Sequence, residues 1–234
     1  MQLTLGQLRE NNMVIKRRAI SDEQKEERRQ AILDAALQLF QETSYEAVNI
    51  ADVAEKAGVA KGTIYLYFKT KEGLFLALLT QEFEAWFDEA ESLLKEIQTT
   101  QGTCTVDELI PLVGRSLENR PTLVRLTAIL HTILEKNIDF STALSFKQML
   151  LARILQTGAL LEACLPFLEP GQGVSVAVHI YVLIVGVQQL AEPAPIVKQA
   201  IAEDELKVFQ VDFMDYFLET LRIFLNGFKH QTKN

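Results

Sequence analysis

Lys61, Gly62, Thr63, Tyr65 and Tyr67 crowd into one short stretch of the chain. An ammonium, a hydroxyl, two phenols and a residue without a side chain make a surface suited to a polyanion. At helical spacing Ile64 and Phe68 point inward, leaving Lys61, Thr63 and Tyr67 outside with Tyr65 beside them. A short helix of this kind can enter the major groove of double-stranded DNA. Lys61 and Tyr65 then reach base edges, and Gly62 lets the backbone come close. Thr63, Tyr67 and Lys71 meet phosphate oxygens, with Asn49 counted among the phosphate-facing groups. Lys71 also sits at the start of a helix whose first amides favour an anion. The competing reading is that the two tyrosines merely cover a small apolar core.

The elements that must hold this surface are legible around it. Asn49 caps a helix over 50–57, with Val53, Ala54 and Ala57 on its inner face. Gly58 stands where a helix ends in a left-handed residue, and the next helix covers 60–67. An earlier helix starts near Ser21, with Gln24 at the matching box position, and runs to Glu42. Its buried stripe is Ile32, Leu33, Ala36, Leu39 and Phe40. Thr70 caps a fourth helix that continues through Leu74, Leu78 and Phe83 to about Ile97. Residues 1–20 show no clear stripe. Their Lys16-Arg17-Arg18 cluster belongs either to a solvated tail or to an arm that touches DNA. Met13 would serve equally well as a first residue.

The stretch Ala54–Leu74, AEKAGVAKGTIYLYFKTKEGL, closely resembles the signature of the TetR family of bacterial transcriptional regulators, and RRQAILDAALQLF resembles that family's first helix. The resemblance covers roughly 25–78. It implies an all-α homodimer with two DNA-binding heads and a ligand-responsive body. By the same carry-over Lys61, Gly62 and Tyr65 match base-approaching positions, and Thr63, Tyr67 and Lys71 match backbone-holding ones. The chain departs from the pattern at Ser44, Asn49 and Ala60; Ala60 removes a side-chain cap from the base-reading helix. The organisation expected is an extension over 1–20, a helix-turn-helix domain over 21–73, a helical dimerisation and effector domain over 74–228, and a tail over 229–234.

The body resembles the family only in layout. Further helices are expected from Thr105 with its Glu108 box, over 120–136, over 140–164, over 174–191 and over 205–228, with a loop at 166–173. By that layout the last two long helices pair with their symmetry mates. Val178, Val182 and Val185 form the stripe on one; Phe209, Phe213, Phe217, Leu221 and Phe224 form it on the other. A ligand pocket would be lined by Phe83, Trp86, Phe87, His131, Phe146, Met149 and His179, which suits a small apolar effector with one or two polar groups. Each of these side chains is also an ordinary core candidate.

The net charge of −8 is unevenly spread. Residues 1–73 carry 11 basic and 11 acidic side chains, and residues 74–234 carry 12 and 20. The acidic excess therefore sits in the body, which leaves a locally basic face free to meet phosphate. No enzyme constellation, phosphate loop or metal spacing is present in the sequence, so no catalytic residue, metal or cofactor is expected. The apolar stretch 174–190 carries His179, Tyr181, Gln188 and Gln189, and is expected to be a buried or interface helix, not a membrane span. Residues 1–20 lack a secretory pattern, so a cytoplasmic protein with Cys104 and Cys164 reduced is expected. The function expected is a dimeric regulator on a pseudo-palindromic operator, most simply a repressor released by an effector. A DNA-bound regulator without a small-molecule effector is the alternative, and an all-helical enzyme or carrier a third reading.

Overall fold

The computed structural model describes residues 5–231, with side chains over 22–229. It is all helical among these residues and divides into two compact units between Leu74 and Phe75.

In the first unit, α1 spans Leu5–Glu42, α2 Ile50–Lys56 and α3 Lys61–Tyr67. The expected start of α1 at Ser21 is too late. Residues 7–30 contain neither Pro nor Gly and are rich in Gln, Glu, Lys and Arg. Backbone propensity carries such a run as helix without any apolar stripe. The Lys16-Arg17-Arg18 arm lies outside the described side chains. Further along, Ile32, Leu33, Ala36 and Phe40 are buried as expected, together with Ala35. The Asn49 side chain accepts from the Ala51 and Asp52 amides at 2.9 and 3.1 Å and so starts α2. Gly58, with φ of 66°, turns the chain into α3 at a position that strains any other residue.

Helix α4, Lys71–Thr100, begins in the first unit and continues in the second. The Thr70 hydroxyl accepts from the Gly73 amide at its start. The second unit adds α5 (Val106–Glu118), α6 (Pro121–Ile129), α7 (Phe140–Cys164), α8 (Gln172–Ala191), α9 (Pro195–Ala200) and α10 (Phe213–Gln231). Helix α5 opens on the reciprocal Thr105–Glu108 box. Helix α6 stops short of the expected Lys136: the Glu135 amide bonds to Leu130, and a 3-10 turn at Leu134–Asn137 buries Leu134. The last helix begins eight residues later than expected, because Asp212 caps it by accepting from the Asp215 amide. Phe209 therefore lies in a separate 3-10 turn, Asp204–Phe209, and is exposed.

Helix α8 packs against α7, α6 and α10, and α10 also against α5. It turns Val176, Ile180, Ile184 and Val187 into the bundle. Among the described residues it is the one helix long and apolar enough to cross a membrane by length and composition. The α7–α8 crossing is set by two glycines. A Cβ on Gly173 would lie 2.0 Å from the Gly158 carbonyl oxygen, and one on Gly158 would lie 2.7 Å from the Val174 nitrogen. Both obstacles are backbone, so neither can rotate away. We expect Gly173→Ala to force the two helices apart and cost about 3 kcal/mol or more, read as a lower urea midpoint at unchanged slope.

Candidate nucleic-acid interface and internal cavity

Helix α3 is fixed from below and open above. Ile64 is fully buried and Phe68 nearly so, and the Arg29 guanidinium lies 5.6 Å from the Phe68 ring centroid. Lys61 and Gly62 face solvent, Tyr65 is 45% exposed, and Thr63 and Tyr67 are half-buried. A Cβ on Gly62 would meet nothing within 4 Å, so the chain itself does not need a glycine there. Ala60 supplies no side-chain cap, which leaves the first amides of α3 without a side-chain acceptor. Leu66 is 81% exposed and stands beside Tyr65 on this surface. Its position gives the surface an apolar contact of the kind that meets a thymine methyl.

Lys71 is placed differently from Lys61. It is half-buried, donates to the Tyr45 carbonyl and lies 4.1 Å from the Tyr45 ring centroid. Burial pulls its pKa below the usual lysine range, against the opposing charges of Glu46 and Glu72. Burial first, then the Glu72 and Glu46 charges, raise the Tyr45 phenol in turn. Lys71 thus ties the Tyr45 turn to the start of α4, whatever else its remaining N–H groups do. Asn49 is likewise engaged as a helix cap.

The second unit holds a cavity of about 340 Å³ bounded by α4, α5, α7 and α8. Phe83, Trp86, Phe87 and His131 are on its wall, as the sequence suggests. Phe146, Met149 and His179 are not. Phe146 is buried behind Phe83, with ring centroids 6.4 Å apart, and His179 is exposed and stacked on Phe224 at 4.3 Å. Helical spacing places a side chain on a face but does not say what lies opposite.

Polar groups on the wall are few. Trp86 donates its indole N–H to Ser116 at 3.0 Å. Tyr181, His131, Glu135 and Lys147 form a string: Tyr181 Oη meets His131 Nε2, His131 Nδ1 lies 2.8 Å from Glu135, and Lys147 bonds the other Glu135 oxygen. Burial acts to raise the Glu135 carboxyl, but its bonds to Lys147 and His131 hold it below the ordinary range. Burial, then the Glu135 charge, push the Tyr181 phenol up to about 12. Thr157, at another point of the wall, bonds Glu91, which is buried beside Arg153 and Gln156. Lys147, Thr157 and Tyr181 were not among the sequence candidates; only Tyr181 left a trace, as a polar residue within an apolar stretch.

The expected dimer stripe is redistributed. Phe217 and Leu221 are fully buried within their own protomer and cannot touch a partner. Leu225, not Phe224, completes that inward line. Phe213, Phe224 and Val185 are half-buried, while Val178 and Val182 are exposed. Of the stripe read from sequence, Phe217 and Leu221 are therefore the two residues that α10 turns wholly into its own protomer.

A three-helix head with an outward α3 and a larger helical body enclosing a cavity define a helix-turn-helix regulator architecture. The description "Bacterial regulatory proteins, tetR family" matches residues 32–78, and "Tetracyclin repressor-like, C-terminal domain" matches 80–232. The chain belongs to the TetR family. Over 78 residues it is 36% identical to the fatty acid metabolism regulator protein of Bacillus subtilis, covering 33% of this chain and 40% of that one. Over 65 residues it is 48% identical to the transcriptional repressor KstR of Rhodococcus jostii, covering 28% and 31%. The chain thus spans well under half the length of these curated relatives. A TetR/AcrR-family regulator from Thermobifida fusca shares the fold at a TM-score of 0.51 and 17% identity, over 85% of this chain and 96% of that one. A TetR regulator from Legionella pneumophila does so at 0.50 and 18%, over 84% and 94%.

Because Lys71 is bound within the head, Lys71→Met should destabilise the protein with no DNA present, by about 1–2 kcal/mol. Urea unfolding at neutral pH measures this; an unchanged midpoint would assign Lys71 no part in holding the turn.

Proposed function

We propose that this protein is a cytoplasmic, homodimeric transcriptional repressor that binds a pseudo-palindromic operator and is released by a small apolar effector. The observation that carries the DNA-binding part is the two-sidedness of α3. Its apolar residues are buried in the head, while Lys61, Gly62, Tyr65 and Leu66 stand free on the other side. Lys61 and Tyr65 read bases; Thr63 and Tyr67 hold the backbone, with Asn49 and Lys71 at the edges of the contact. Two heads must then enter successive major grooves, about 34–36 Å apart.

The cavity supports the effector part. Its size suits a molecule of on the order of a dozen non-hydrogen atoms. The wall is apolar apart from Ser116, Thr157 and the Tyr181–His131–Lys147 string, so an apolar body with one hydrogen-bonding head group fits best. Such a ligand weakens operator binding only through its differential affinity for the two conformational states. Helix α4, common to both units, is the covalent route by which that difference is felt at the head.

The test is selection of bound duplexes from a random pool, followed by gel shift with Gly62→Ala. The substitution fills open space and improves helix propensity by about 1 kcal/mol, so folding is kept or strengthened. Operator affinity is expected to fall at least about tenfold, because the added methyl stands between backbone and groove. Unchanged affinity would remove Gly62 from the contact, and failure to retain any duplex at low salt would sink the reading as a whole. For phosphate contacts, Lys71→Ala should lower the salt slope by about 1.

A further inference from the structure

We propose that the cavity is a slot for an elongated amphiphile with one anionic head group, the head held by Lys147 at one end and the chain running to a blind apolar end. The inference rests on the effector-binding reading above and adds the chemical class of the ligand and the direction in which it lies. The shape follows from helix register. Contacts set α4 and α7 antiparallel at four levels: Phe83 with Phe146, Asp88 with Arg153, Glu91 with Thr157, and Leu94 with Cys164. The α7 wall residues run from Lys147 to Leu161 and those of α4 from Phe83 to Ile97. Each run is about 21 Å of helix. A ligand of on the order of a dozen non-hydrogen atoms reaches along such a wall only if its atoms lie in line.

The two ends differ. Lys147 follows Phe146 in the chain and reaches His131 and Tyr181 through Glu135. The Lys147 and His131 side chains are about half exposed, so this end opens to water. At the other end the Cys104 amide bonds the Cys164 carbonyl and brings the start of α5 to the end of α7. There Leu94, Ile97, Leu109 and Leu161 are all buried. A chain with one polar end can satisfy both ends of the slot in only one direction.

The sign of the head group follows from the donors on the wall. Among the described residues that line the cavity, Lys147 is the only Lys, Arg, Asp or Glu. The nearby carboxylates lie behind the wall and are already engaged: Glu135 by Lys147 and His131, Glu91 by Arg153, Gln156 and Thr157. The hydroxyl hydrogens further along are committed as well, Ser116 to the Val113 carbonyl at 2.8 Å and Thr157 to Glu91 at 3.2 Å. An ammonium carries three hydrogens, and the Glu135 pairing leaves others for a ligand. An anionic head meets them in charge-assisted bonds. A cationic head would face the like charge of Lys147 with no carboxylate on the wall to pair with, and a neutral hydroxyl gains only the weaker uncharged bond.

Calorimetric titration of the full-length protein with decanoate, 1-decanol and decylamine, each below its aggregation concentration, compares three head groups on one chain. Decanoate is expected to bind at least about tenfold more tightly than the other two. It should also exceed 1-adamantanecarboxylate, a compact anion of similar size, by about tenfold or more. Trp86 is the chain's single tryptophan and lies on the cavity wall, so bound decanoate should shield its fluorescence from acrylamide. Lys147→Met should remove the preference for decanoate over 1-decanol and leave 1-decanol binding unchanged. A wild type that binds 1-decanol or decylamine as tightly, or a preference that survives Lys147→Met, overturns the head-group assignment. Equal binding of 1-adamantanecarboxylate overturns the slot, and unchanged Trp86 quenching puts the binding outside the cavity and overturns both. If Lys147→Met fails to fold, the wild-type ranking and the quenching decide alone. Decanoate that fills the cavity yet leaves affinity for a selected duplex unchanged would keep the site and sink the effector reading.

Discussion

Burial of Ile64 and Phe68 is the interaction on which the head depends. Helix α3 has seven residues, too few to be stable alone. These two side chains, each worth about 1.5–3 kcal/mol on burial, pin it to the rest of the head, where α3 packs against α2 and Arg29 of α1 lies over Phe68, and so fix its rotation. Once the rotation is fixed, Lys61, Gly62, Tyr65 and Leu66 have only one way to face. The Asn49 cap and the left-handed Gly58 serve the same end, since they set where α2 starts and where it gives way to α3. The lack of a cap at Ala60 costs some local stability and leaves amides available at the end of the helix.

The body works under a different constraint. It must keep a cavity open inside a packed bundle, and packing normally eliminates such space. Backbone-to-backbone contact at Gly158 and Gly173 provides rigidity on one side. The buried Glu91, held by Arg153, Gln156 and Thr157, ties α4 to α7 on another. Cys104 and Cys164 add a further tie through their backbones, at 2.8 Å, and not through a disulfide. Burial pushes the Cys104 thiol up to about 11, which leaves it a poor nucleophile.

The head was legible because its signals are local. A cap, a glycine turn and an i, i+4 apolar pair each act within a few residues, and all of them agree. The body was less legible because its signals are not local. Phe217 and Leu221 repeat at helical spacing, which marks a buried face, but the spacing is silent on whether α8 or a partner buries it. Phe146 and His179 failed as wall residues for the same reason: the wall depends on which helices lie opposite. The early start of α1 escaped notice because propensity without a stripe gives no pattern to read, and the stop of α6 because Leu130 and Leu134 keep helical spacing through a turn that is not α-helical.

Hydroxyl-radical footprinting of the full-length protein on a selected duplex tests the central claim most directly. A groove-entering α3 from each of two heads predicts two protected patches on one face of the helix, separated by about one turn or a multiple of it. Both patches should vanish together when Lys61 and Tyr65 are replaced by alanine. A single patch, protection spread evenly around the duplex, or a footprint that survives those two replacements would contradict the account.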